Sequence, residues 1–167
     1  MRAPRREHAA IAVGDRAVLL AGGRERPGDA PQAELELVTV GEEGSAAEST
    51  VAGRLAVARA GATLLALDDG RIAVAGGVDA SGAAVGAIEL LRRAGALRRA
   101  HGGAPPRAGA AYAALPGARV VQIGGQVEGE WTGEVEVALG EAVVALGDVL
   151  PELAAPRATA LADGRVL

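Results

Sequence analysis

The feature that most restricts how this chain can fold is a double glycine that returns three times in register. Gly22-Gly23, Gly76-Gly77 and Gly124-Gly125 each begin 17 residues after an arginine: Arg5, Arg59 and Arg107. A second arginine (Arg16, Arg71, Arg119) opens the apolar run that ends on each pair. A glutamate (Glu36, Glu89, Glu136) follows 14, 13 and 12 residues after the first glycine. Three markers in three copies, 54 and then 48 residues apart, describe a repeat. Periods of this size belong to units that bury their apolar faces by stacking on neighbours.

Inside each unit the pattern reads as strands. Ala62 to Leu67, the turn Asp68-Asp69-Gly70 and Arg71 to Ala75 make a hairpin. Its counterparts are His8 to Val13 with Arg16 to Ala21, and Ala110 to Leu115 with Arg119 to Ile123. These runs are nearly all apolar, as strands covered on both faces are. Third strands are expected over 33–40, 87–91 and 133–138, where glutamates alternate with apolar residues. Fourth strands are expected over 47–51, 96–98 and 141–146. Alanine favours helix, but the 25 glycines and the short apolar runs oppose it. A fourth copy starts at Pro156-Arg157 and reaches Asp163-Gly164-Arg165 before Leu167. The expected organisation is one domain over 1–167 with units at about 4–57, 58–105, 106–155 and a partial 156–167.

Composition narrows the function. A net charge of −4 argues against a nucleic-acid footprint, which needs a basic face. No apolar run approaches the roughly 18 residues of a membrane helix, and residues 1–13 do not read as a signal peptide. The compartment stays open, since a parent protein carrying a signal could be exported. With no cysteine there is no disulfide or thiolate metal site. All 17 basic residues are arginine, so there is no Walker lysine. Ser45, Ser49 and Ser81 lack a nucleophile elbow. His8 and His101 are too few for a metal site; His8 reads as structural and His101 as a loop residue. No cofactor is expected.

The unit of arginine, apolar strand, Asp-Gly-Arg, apolar strand and Gly-Gly, followed by a strand such as Ile88-Glu89-Leu90, resembles the kelch repeat in its bacterial form. The resemblance implies an all-β, kelch-type β-propeller of about three four-stranded blades plus the start of a fourth. It also implies a scaffold role for Arg5, Arg59, Arg107, Arg157 and the six paired glycines, with the arginines as blade-to-blade anchors. The tyrosine that the family carries in its third strand is replaced by Val38, Leu91 and Ala138, and no fourth strand holds a tryptophan. Too few blades for a ring suggests a fragment of a longer protein, or open edges that self-associate.

Function is then expected on the loops that follow the glycine pairs, at Arg24, Arg26, Asp79 and Trp131. Trp131, flanked by Glu130 and near Glu128, either stacks on a sugar or partner side chain or caps an apolar edge. The pairs Glu34/Glu36 and Glu134/Glu136 either form a solvated face or meet the arginines, or else serve acid–base or cation chemistry. Arg92, Arg93, Arg98 and Arg99 form the most basic patch, a solvated hairpin or an acidic partner's site. The leading expectation is a non-catalytic module binding a protein or carbohydrate. The alternative is a fragment of a propeller enzyme, of sugar oxidase, mutarotase or lyase class, with its catalytic residues elsewhere. A tyrosine–cysteine copper site of the galactose oxidase kind cannot be built from one tyrosine and no cysteine.

Overall fold

The computed structural model describes residues 4–41, 47–92, 97–99, 105–139, 142–152 and 154–167. The expectations for Ser45, Arg93 and His101, and for the side chains of Arg98 and Arg99, lie outside the described residues. Every regular element among the described residues is a strand. The first sheet is β1 (Ala9–Ala12), β2 (Ala17–Ala21), β3 (Glu34–Thr39) and β4 (Glu48–Arg54). The second is β5 (Thr63–Ala66), β6 (Ile72–Ala75), β7 (Glu89–Leu91) and β8 (Leu97–Arg99). After β9 (Ala111–Leu115) and β10 (Arg119–Ile123) comes a two-stranded ribbon, β11 (Gln126–Val127) and β12 (Glu130–Trp131). β13 (Glu134–Leu139) and β14 (Ala142–Asp148) then complete the third sheet. Each four-stranded sheet is an antiparallel meander in chain order.

The sequence places the strands within a few residues of these bounds. Two expectations change. His8 lies just before β1 rather than in it. Trp131 belongs to a strand of the ribbon rather than to an open loop. The ribbon's turn, Glu128-Gly129, has φ of 52° and 90°, the double left-handed geometry of a tight hairpin.

The sheets stack face to face, and the period of two along each strand sends alternate side chains to opposite neighbours. Leu19, Ala21 and Leu35 of the first sheet meet Leu64, Ile72, Val74 and Leu91 of the second. On the second sheet's other face, Ala73 and Ala75 meet Tyr112, Val120 and Ala138 of the third. Ala113, Val121, Val135 and Val137 then face Ala158 and Val166 of the last segment. β1 lies beside β5 and β5 beside β9, so the first strands of the sheets gather on one side. The outermost strands are β4, β8 and β14.

Two of the three outer strands, β4 and β14, are bulged at the same place. Leu35 pairs with Gly53 and Glu36 with Val51, which leaves Ala52 extra. Val135 pairs with Gly147 and Glu136 with Ala145, which leaves Leu146 extra. A bulge twists an edge and interrupts its row of hydrogen-bonding groups. β14 nonetheless exposes Val144 and Leu146.

One carboxylate ties the second sheet to the third. Asp68, in the β5–β6 turn, accepts hydrogen bonds from the backbone N–H groups of Gly117 (2.6 Å) and Ala118 (2.8 Å) in the β9–β10 turn. The Gly117 bond in particular holds its pKa below the usual 3.8. A depressed carboxylate stabilises the fold above its unfolded pKa, and that contribution is lost as pH falls through the folded value. Asp68→Ala is expected to lower the urea midpoint at neutral pH and to flatten its decline on the acid side. Parallel acid limbs in the two proteins would sink this prediction.

Candidate functional site

Three of the four recurring arginines, Arg5, Arg59 and Arg107, are buried and bind their own sheets. Arg59 is 0% exposed. Its Nη2 donates to Glu89 Oε1 at 2.6 Å, and its Nη1 donates to the carbonyls of Gly76 (3.2 Å) and Ala87 (2.8 Å). Arg5 reaches Glu36 (2.8 Å) and the Gly22 and Glu34 carbonyls in the same way. Arg107 reaches Glu134 Oε2 (2.7 Å) and the Gly124 and Glu134 carbonyls, with Glu136 Oε2 at 3.1 Å. The spaced glutamates therefore meet the arginines. Burial pushes the Arg59 guanidinium down, and the charge of Glu89 opposes this. Arg157 is exposed.

The backbone of Arg59, by contrast, belongs to the first sheet's loop. Its carbonyl accepts from Gly23 N (2.9 Å) and its N–H donates to Gln32 O (3.4 Å). The glycine pairs make room for these crossings. A Cβ on Gly22 would collide with the Arg59 carbonyl, and one on Gly76 would lie 2.5 Å from the Tyr112 ring. On Gly125 it would crowd Arg107 and Ala110. All six paired glycines have positive φ.

Because the units repeat, each is a control for the others. The positions of Glu7, Gly61 and Gly109 correspond, and all three have positive φ: 54°, 70° and 68°. Two units place glycine there and one places glutamate, at a backbone cost of about 1–3 kcal/mol. Ala10, Leu64 and Tyr112 correspond in the first strands, as do Leu20, Val74 and Gln122 in the second. The third sheet therefore turns a row of Tyr112, Gln122 and Glu136, paired across three strands, toward the second sheet. The other sheets have apolar residues at the first two places.

The departures from the repeat converge. A cavity of about 240 Å³ is lined by Glu7, by Ala60, Gly61, Gly77 and Val78, and by Arg107, Gly109, Ala110 and Tyr112, drawing on all three units. Tyr112 is 6% exposed, and its hydroxyl has no hydrogen-bond partner among the described residues; the same holds for Arg107 Nε and Gln122 Oε1. Burial pushes the Tyr112 phenol up to about 12 against the pull of Arg107 and Arg59. It stays protonated, a donor as well as an acceptor. Burial also raises the Glu136 carboxyl, against the nearby Arg107.

Of the four loop residues expected to bind, two flank this cavity. Arg24 Nε lies 2.7 Å from Glu7 Oε2, and its Nη1 donates to Asp29 O. The half-buried Trp131 lies over Gly109, 3.6 Å from where a Cβ there would sit. The other two belong to their own turns. Asp79 accepts from Ser81 N (2.8 Å), Ser81 Oγ (2.6 Å) and Ala83 N (3.1 Å), and the Ser81 hydroxyl leads in lowering its pKa. Arg26 is exposed, and its N–H donates to Asp29 Oδ2. His8 sets its Nδ1 3.2 Å from Arg5 O. Among the described residues no three His, Asp or Glu side chains are grouped to hold a metal ion, and no helix is long and apolar enough to cross a membrane. Glu7 and Tyr112 escaped a reading of single motifs. Comparing the units position by position would have exposed both.

No protein-family model matches the chain, and no curated protein matches it. Solved structures do. A fungal alcohol oxidase of the AA5 family, in complex with copper, is 19% identical with a TM-score of 0.62, over 72% of this chain and 27% of its own. YjhT is 15% identical with a TM-score of 0.66, over 89% of this chain and 54% of its own. The chain thus spans about a quarter and about half of these two structures. Likeness at such identity is a likeness of fold. The chain is all-β, its sheets match propeller structures, and they are consistent with a kelch-like propeller.

Proposed function

We propose that the chain is a non-catalytic binding module that takes a protein or carbohydrate partner where its glycine-pair loops and the cavity lie. The observation that carries this reading is the convergence of Glu7 and Tyr112, which both break the repeat, on one cavity shared by all three units. A scaffold that needs only to stack would keep glycine and an apolar residue there. Trp131 and Arg24 stand beside the cavity as the side chains a partner would meet first.

The second reading, a piece of a propeller enzyme, is favoured by the likeness to the AA5 alcohol oxidase. On that reading a copper site built with cysteine and several tyrosines needs residues from outside these 167. Two measurements separate the readings. A glycan array and a protein pull-down with the full chain are expected to return a partner whose affinity falls about tenfold in Trp131→Ala, the loss of roughly one good interfacial contact. Unchanged affinity would remove Trp131 from the site. Alcohol oxidation by the isolated chain supplied with copper(II) is expected to stay at background, and turnover would overturn the non-catalytic reading.

A further inference from the structure

We infer that the cavity between Glu7 and Tyr112 is a subsite for a single uncharged polyol, on the scale of one sugar ring, and that it discriminates against charged relatives of that ring. The inference rests on the binding-module reading and specifies the ligand that the reading leaves open.

Glu7 is met by Arg24 at 2.7 Å and Arg6 at 3.8 Å, while Arg107 is met by Glu134 at 2.7 Å and Glu136 at 3.1 Å. The charges around the cavity are answered within the protein. An added carboxylate would face Glu7 and an added ammonium would face Arg107, and neither meets a free counter-charge. What remains to be satisfied around the cavity is hydrogen bonding rather than net charge, and it includes the Arg107 Nε–H as well as the phenol. The Tyr112 hydroxyl, buried and without a partner, both donates and accepts. Glu7 offers acceptor oxygens, with its side chain 45% exposed. A ligand hydroxyl matches both, since it can accept from the phenol and donate to the carboxylate.

Size and shape agree. A volume of about 240 Å³ lies below the range for drug-sized ligands, so it suits one small ring. The other walls are alanine, glycine and Val78, which present backbone and small apolar groups. Glu7 holds a left-handed backbone (φ 54°) where the other units have glycine. Strain kept at a cavity wall is the pattern of a functional position.

The chain carries its own reporters, since Trp131 and Tyr112 are the single tryptophan and tyrosine. The test is titration of the full chain with a panel of neutral aldohexoses, with glucuronate and glucosamine as charged relatives, read by Trp131 fluorescence. At least one neutral sugar is expected to give a saturable change, with both charged relatives weaker by about tenfold or more. Glu7→Gly restores the residue of the other units and is expected to fold with an undiminished melting temperature while losing that response. Tyr112→Phe removes only the hydroxyl and is expected to weaken it several-fold. Equal affinity for charged and neutral rings, or a response unchanged in Glu7→Gly, would overturn the inference. A partner captured in the screens and lost in Trp131→Ala but kept in Glu7→Gly would overturn the subsite and leave the binding module standing. No response to any sugar overturns the subsite, and no partner in the screens as well overturns both.

Discussion

Arg59→Met is expected to cost about 3–5 kcal/mol, the usual penalty for removing one partner of a buried ion pair. The size follows from what Arg59 leaves behind. Glu89 is 1% exposed and keeps its bonds from Ala56 N (2.7 Å) and Val57 N (3.2 Å), so it cannot turn toward water without breaking them. The Gly76 and Ala87 carbonyls lose their donor at the same time. Against a total stability of about 5–15 kcal/mol for a domain, this is a large fraction. Arg59→Lys retains the charge but not the planar fork that reaches two carbonyls and a carboxylate together, so an intermediate loss is expected. Urea unfolding followed by circular dichroism checks both. A change below about 1 kcal/mol in Arg59→Met would mean that Glu89 finds another partner.

Gly76→Ala is the second large effect, and it should divide into two parts. Its φ of +67° disfavours any Cβ, and the added methyl would stand 2.5 Å from Cε2 of Tyr112. Together these predict a loss of about 2–5 kcal/mol, from roughly 1–2 of backbone strain and 1–3 of overpacking. The steric part belongs to a side chain and can be removed. In a Tyr112→Leu background, which restores the residue the second sheet carries, the same substitution is expected to cost about 1–2 kcal/mol. Gly22→Ala offers no such rescue, because its obstacle is the Arg59 carbonyl. Equal costs of Gly76→Ala in the two backgrounds would show that Tyr112 yields freely.

The strands were legible because their physics is local. An apolar run, an Asp-Gly turn and a second run predict a hairpin, and the repeated register aligns three of them before any contact is known. The arginine–glutamate pairs were half legible. The two residue types recur in register, but a solvated face for the glutamates stays open in the sequence, and the expectation of anchors between blades describes the Arg59 main chain better than its side chain. The site itself was the least legible part. Tyr112 reads as one more residue of an apolar strand, and Glu7 as one charge in an arginine-rich start; only the fold brings them to one cavity. The ribbon around Trp131 escaped notice because the loops of the first two units fold as turns on Asp29 and Asp79 instead.

The divided allegiance of Arg59 has a mechanical consequence. Its peptide groups are bonded into the loop of the first sheet, while its guanidinium is sunk in the second. A force that peels the first sheet away must either snap the bonds at Gly23 and Gln32 or draw a charged plug out of a dry socket. The residue therefore works as a rivet through two plates. The sheets it joins should yield to load together, as one unit under tension, rather than fraying one at a time.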